Sequence, residues 1–252
     1  HPITSFRIRS ASDRRLFRET FPLDTSSTIT RINVGRQSLR RGFGIGGRCM
    51  ASTAAIVWFR QDLRLRDNPA LQAACDIGCP IIPVFIWSPE SEGDWPSGSA
   101  SKWWLHHSLK ALHNSLREMG SRLVLRSGPP QKVLRDLLLE TGGNSLYWNR
   151  CYEPASIARD KKLKALFTAE KVEVHSFPGN VLHEPWTVET QGHTPFKVFT
   201  PFSRAAMHKG IPSPAGKTRK FTAPKSWPES EELNDWKLLP SIPWDSEFGN
   251  HW

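Results

Sequence analysis

Six residues, Ala54-Ala55-Ile56-Val57-Trp58-Phe59, are apolar without a break, and Arg60, Gln61, Asp62, Arg64, Arg66 and Asp67 follow them closely. A run this short and unbroken reads as a strand buried on both faces, as in a parallel sheet. Asp67-Asn68-Pro69 then opens a helix, with Asp67 or Asn68 as N-cap and Pro69 in the first turn, where its missing N–H costs nothing. A buried strand therefore carries a dense set of charges to its carboxyl end, the place where open parallel sheets bind ligands.

The pattern repeats. A helix with Leu71, Ala74 and Cys75 stops at Gly78, and Ile81 to Trp87 is a second apolar strand despite Pro83, which cannot donate to a ladder. Leu105, Leu109, Leu112, Leu116 and Met119 form a helical stripe closed by Gly120. Arg122 to Arg126 is a third strand; Val133, Leu134, Leu137 and Leu138 mark a helix ending at Gly142-Gly143. Leu146 to Trp148 is a fourth strand, a helix begins near Pro154, and Val172 to Ser176 is a fifth strand. Alternation of this kind implies a parallel sheet with helices on both faces. Strands one, two and four are apolar, whereas three and five carry polar side chains, as edge strands do. The expected fold class is α/β: a five-stranded parallel sheet in the order 3-2-1-4-5, Rossmann-like. The order of connection reverses between strands one and four, so the ligand crevice belongs outside their carboxyl ends. Those ends read Arg60-Gln61-Asp62 and Asn149-Arg150-Cys151-Tyr152-Glu153. Trp58, Trp87 and Trp148 end the three central strands and are expected around the crevice mouth, where planar side chains suit a flat aromatic ligand.

The net charge of +10 is unevenly placed: residues 1–50 hold ten Arg, no Lys and three acids, while the remainder has 24 basic and 21 acidic residues. The body lacks the strong basic footprint of a duplex-binding protein. The first stretch, 1–53, rich in Arg and Ser, reads as an organellar transit peptide (plastid or mitochondrion) or a disordered basic extension; without the transit reading, nucleus or cytoplasm is expected. The chain starts at His1, which suggests an incomplete amino end. Gly42, Gly44 and Gly47 fit Gly-x-Gly-x-x-Gly but precede the first strand, so they are not read as a pyrophosphate loop. Residues 54–177 form the α/β domain. From 178 to 252 the periodicity dissolves, ten of the twenty prolines occur, and no long amphipathic helix is expected. This stretch reads as an interdomain linker, with Pro195 to Phe202 packed. No apolar run reaches the roughly 20 residues that span a membrane. Cys49, Cys75, Cys79 and Cys151 fit no zinc or redox spacing, and no disulfide framework is expected. Phosphate loops, His-Glu-x-x-His and nucleophile elbows are missing. His106, His107 and His113 read as helix-surface residues.

Several stretches together carry a resemblance. They are Trp58-Phe59-Arg60-Gln61-Asp62-Leu63-Arg64-Leu65 with Asp67-Asn68, Pro83 to Trp87, and Trp148-Asn149-Arg150 with Tyr152-Glu153-Pro154 and Ala158-Arg159-Asp160. Lys197-Val198-Phe199-Thr200-Pro201-Phe202 and Asp235 to Pro240 complete the set. In this order the stretches resemble the DNA photolyase/cryptochrome family over about residues 54 to 252. Ser99 to Leu109 is similar to the cyclobutane-dimer photolyases nearest plant cryptochromes. Ser203 stands where the family usually has Trp, and Ala155-Ser156 where some folate-binding members have Asn-Glu.

The resemblance implies an amino-terminal domain that holds an antenna chromophore of the folate or deazaflavin type. It also implies a separate helical domain that holds FAD and, in photolyases, repairs pyrimidine dimers in damaged DNA by light-driven electron transfer. The flavin ligands are not in this stretch, so no repair is expected from this chain alone and no catalytic or metal-ligating residue is assigned. The expected pocket residues are Arg60, Gln61, Asp62, Trp87, Asn149, Arg150, Tyr152 and Glu153. Expected alternatives are a stand-alone nucleotide- or chromophore-binding module and a protein-interaction module that associates through the surface a helical domain would cover.

Overall fold

The computed structural model describes residues 54–92, 96–214, 216, 222–242, 244, 245 and 247. The transit-peptide reading, the Gly42–Gly47 pattern and Cys49 lie outside them.

The chain alternates as expected: β1 (Ala55–Phe59), α1 (Pro69–Ile77), β2 (Ile81–Trp87), α2 (Ser99–Glu118), β3 (Val124–Ser127), α3 (Pro130–Thr141), β4 (Ser145–Asn149), α4 (Pro154–Ala169) and β5 (Glu173–Phe177). All pairings are parallel and the order is β3-β2-β1-β4-β5. Asn68 is the N-cap of α1: its side-chain oxygen accepts from Leu71 N, with Pro69 at the first helical position. Gly78 (φ +77°) and Gly142 (φ +62°) end α1 and α3 in the left-handed region, which only glycine enters cheaply.

β1 is buried throughout and divides two cores by alternation. Val57 and Phe59 face α1 and α2, with Leu71, Ile81, Phe85, Leu109, Leu112 and Leu116. Ile56 and Trp58 face α3 and α4, with Ile82, Val84, Leu134, Leu137, Leu163 and Phe167. Leu163 and Phe167 are the buried residues of α4; each contributes about 1.5–3 kcal/mol when removed from water.

Pro83 sits inside a central strand without breaking it. Ile81 N–H points away from β1, donating to Thr222 O at 3.0 Å. Pro83, two residues on, faces the same side, where the ladder to β3 begins only at Val84↔Val124. The missing donor therefore falls before that ladder starts. β3 itself begins two residues later than expected, at Val124; Arg122 precedes it, and its side chain donates to Pro228 O at 2.7 Å.

Four expectations are corrected. The three strand-end tryptophans do not surround one mouth. Trp58 and Trp148 are edge-to-face at 5.9 Å on the α4 side, whereas Trp87 has the opposite parity and stacks on Trp236 at 6.2 Å on the α1 side. His106 is buried, not superficial, because it precedes Leu109 by three residues on the inward stripe of α2; burial, with His107 and Lys110 nearby, lowers its pKa. Cys79 is disulfide-bonded, whereas Cys151 is a buried free thiol. Finally, the stretch after β5 contains a helix, α5 (Phe199–Lys209), with no buried residue. Val198 (61 % exposed) and Phe199 (77 %) are open to solvent, so Pro195 to Phe202 is not packed as expected.

Other parts of this stretch are built into the sheet. Glu231 N donates to Leu125 O at 2.9 Å, and Leu125 N donates to Ser230 Oγ at 3.0 Å. The Glu231 carboxylate accepts from Ser127 N, Ser127 Oγ and Trp236 Nε1 at 2.8, 2.9 and 2.7 Å. The free edge of β3 is thereby covered, which removes a template for stray strand pairing.

Candidate functional site

β1 and β4 are neighbours, paired from Ala55↔Ser145 to Trp58↔Trp148, so their carboxyl ends emerge side by side. Two bonded groups arise there.

The first group is a buried triad of Asp62, Asn68 and Asn149. Asp62 Oδ1 accepts Arg60 N at 2.9 Å, and Oδ2 accepts Asn68 Nδ2 at 3.2 Å and Asn149 Nδ2. Asn149 Nδ2 also donates to Asn68 Oδ1 at 2.8 Å, and Asn149 Oδ1 accepts Ala70 N at 3.1 Å. The start of α1 is thus tied to the ends of both strands. Buried polar groups are costly unless bonded, and these are bonded to one another.

The second group lies toward α4. The Arg60 guanidinium donates from Nη1 to Asp160 Oδ2 at 2.6 Å and from Nη2 to the Asn149 carbonyl. It sits 4.8 Å from the Trp58 ring centroid, and Arg159 lies 5.1 Å from the same ring. Arg159 Nε donates to Asp160 Oδ1 at 3.1 Å. Burial pushes the Cys151 thiol up to about 11, with Arg60 opposing the shift. Trp58 Nε1, Trp148 Nε1 and Arg60 Nε are buried donors without a hydrogen-bond partner.

Gln61 and Glu153 stand above these groups, exposed, with Gln61 Nε2 donating to Glu153 Oε1 at 2.9 Å. Burial alone would raise the Glu153 pKa. Hydrogen bonds from Gln61, its own backbone N–H and Ser156, with the charge of Arg60, outweigh that and lower it.

Arg150 and Tyr152 face the segment that leaves β5. Arg150 donates from Nε and Nη2 to Glu184 Oε1 at 3.0 and 2.7 Å, and from Nη1 to Ser176 O at 2.7 Å. Tyr152 lies 6.3 Å from Trp186; burial, with the Glu184 carboxylate nearby, pushes its phenol up to about 12. The same segment crosses Asn149 at Gly179, where a Cβ would come within 2.6 Å of the Asn149 side chain. Arg64 Nη2 fixes it by donating to Gly179 O at 2.7 Å.

Seven of the eight expected pocket residues are therefore gathered around the adjoining ends of β1 and β4. Trp87 lies on the other face of the sheet. The residues missed in the sequence are Asn68, Asp160 and Arg64. Asn68 reads from the sequence as a cap and as part of the family-like stretch, not as a pocket residue, and Asp160 stands 100 positions from its partner Arg60. Among the described residues no group of three or more His, Cys, Asp and Glu could hold a metal ion, and no helix is long and apolar enough to cross a membrane.

The sheet order and the paired strand ends define an open α/β domain with a topological switch point between β1 and β4. A DNA photolyase family profile matches residues 55–223, and the chain belongs to that family. It is 48 % identical over 205 residues to a deoxyribodipyrimidine photo-lyase of Agrobacterium fabrum, covering 81 % of this chain and 42 % of that protein. It is 42 % identical over 155 residues to cryptochrome-1 of Arabidopsis thaliana, covering 61 % of this chain and 23 % of that protein. The solved structure of a class III photolyase from Agrobacterium tumefaciens superposes with a TM-score of 0.73 at 46 % identity, covering 83 % of this chain and 43 % of that one. The chain thus spans less than half the length of these relatives.

Proposed function

We propose that residues 54–177 form an antenna-chromophore-binding domain of a photolyase/cryptochrome-like protein, with 178–252 as the segment leading toward a helical FAD-holding domain. The observation that supports this most is the exposed Gln61–Glu153 pair, joining the ends of β1 and β4 above a buried, bonded floor. In this reading Arg60, Asp62 and Asn149 shape the floor, Arg150 and Tyr152 hold the wall formed by 176–186, and Gln61 and Glu153 touch the ligand. The wider activity, repair of damaged DNA or blue-light sensing with FAD, belongs to the full-length parent. The reading assigns no repair step to residues 54–252. The Arg- and Ser-rich composition of residues 1–53 supports an organellar transit extension, with a basic extension of a nuclear or cytoplasmic protein as the alternative.

The test is a spectral titration of the purified chain with a methenyl folate and an 8-hydroxy-deazaflavin. One of them is expected to bind stoichiometrically with a shifted near-ultraviolet or blue band, and Gln61→Ala and Glu153→Ala weaken it. Absence of binding by both overturns the reading, as does light-dependent dimer repair by this chain alone.

A second reading, a protein-interaction module, is favoured by the exposed Val198, Phe199, Met207 and Ile211 along and beside α5. It expects concentration-dependent self-association that Phe199→Ser abolishes; a monomer at high concentration contradicts it.

A further inference from the structure

At the amino-terminal side of β3, away from the ends of β1 and β4, a pocket of about 320 Å³ is lined by His113, Arg117, Gly120, Ser121, Arg122 and Trp227. Its charged lining is cationic and includes no carboxylate. The field is felt by His113, whose pKa is lowered by burial and by Arg117 and Arg122, against Glu232 and a bond to the Leu123 carbonyl, which raise it.

Two features separate this pocket from ordinary surface. Ser121 is 6 % exposed and its hydroxyl has no hydrogen-bond partner, an arrangement native proteins rarely leave unanswered. Arg122 is held rigidly: Nη2 donates to Pro228 O at 2.7 Å, its guanidinium lies 5.0 Å from the Trp227 ring centroid, and its buried Nε is unused. A fixed guanidinium, a second on the exposed Arg117 and an idle hydroxyl are all able to donate, and they match an acceptor-only ligand with several oxygens.

We propose that this pocket binds a tetrahedral oxyanion, a phosphate or phosphate ester, held by Arg117, Ser121 and Arg122 beside Trp227. This site is independent of the chromophore reading. The ion sits beyond the carboxyl end of α2, where the helix dipole disfavours an anion, so the two guanidinium groups carry the affinity. A free phosphate and the phosphate of a nucleotide share this chemistry, and Trp227 offers only the second a ring to pack against.

The test is an NMR titration of the full chain in low-salt chloride with inorganic phosphate and, separately, with AMP. The readouts are the Gly120 and Ser121 amides and the Trp227 indole. Saturable shifts are expected in wild type, and Arg117→Gln should weaken them at least about ten-fold, the scale of one charge-assisted hydrogen bond. Arg117 is exposed, so its variant keeps the wild-type melting temperature. Ser121→Ala provides a second variant that leaves the charges in place and should also weaken binding. Tighter binding of AMP identifies a nucleotide site, and equal binding identifies a phosphate site. Shifts that do not saturate, or that persist undiminished in Arg117→Gln, overturn the proposal.

Discussion

The joined ends of β1 and β4 and the helix α5 both hold side chains that could meet a partner, yet they are built in opposite ways. At the strand ends, Asp62, Asn68 and Asn149 are buried and spend their polar atoms on one another. On α5 no residue is buried, and Phe199 and Met207 stand in solvent. The first region is finished within the domain and offers a ligand only its upper, exposed layer. The second has apolar surface that nothing among the described residues covers. Charged residues at a switch point can thus be architecture first: they set where two strand ends stand, and any ligand sees what lies above them.

This contrast ranks the expected effects of substitution. Asp160→Ala strands the Arg60 guanidinium, whose side chain is 6 % exposed. Removing one partner of a buried pair costs about 3–5 kcal/mol. Urea unfolding should show that loss, and a change below about 1 kcal/mol would mean the pair is not buried in solution. Gly179→Ala places a methyl against the Asn149 side chain. Overpacking of this kind costs about 1–3 kcal/mol, and it should free the segment after β5, read as faster amide exchange around Ser176. Unchanged exchange there would separate that segment from the strand ends.

Glu231→Ala removes the acceptor of Ser127 and Trp236 and tests the opposite edge of the sheet. The expected loss is about 1 kcal/mol, with Ser127 N–H losing protection from exchange. If protection persists, the edge of β3 is covered by something other than this carboxylate. Phe199→Ser on α5 should move stability by no more than about 0.5 kcal/mol, as exposed substitutions do. A larger loss would show that α5 packs in solution and would erase the contrast.

Much of the architecture was legible before the structure, for identifiable reasons. Strands buried on both faces read as continuous apolar runs, and the polar side chains of Arg122–Arg126 and Val172–Ser176 marked the edges; together these give the order β3-β2-β1-β4-β5. Faces were harder to read than order. Trp58, Trp87 and Trp148 all end strands, but parity puts Trp87 on the opposite side, and position along a strand does not reveal this unless register is counted. His106 shows the same point on a helix: three residues before Leu109, it turns inward. α5 was hidden because it has no buried stripe and begins Phe-Thr-Pro-Phe. At the strand ends, the gathering of Arg60, Asp62 and Asn149 followed from topology. Their partner Asp160 did not, because the pair joins β1 to α4 across 100 positions.

The ends of β1 and β4 act as one bonded unit. A double-mutant cycle of Asp62→Ala and Asn149→Ala, followed by urea unfolding, measures it directly. A coupling of more than about 1 kcal/mol between the two changes is the predicted result, and additivity within about 0.5 kcal/mol would contradict the account.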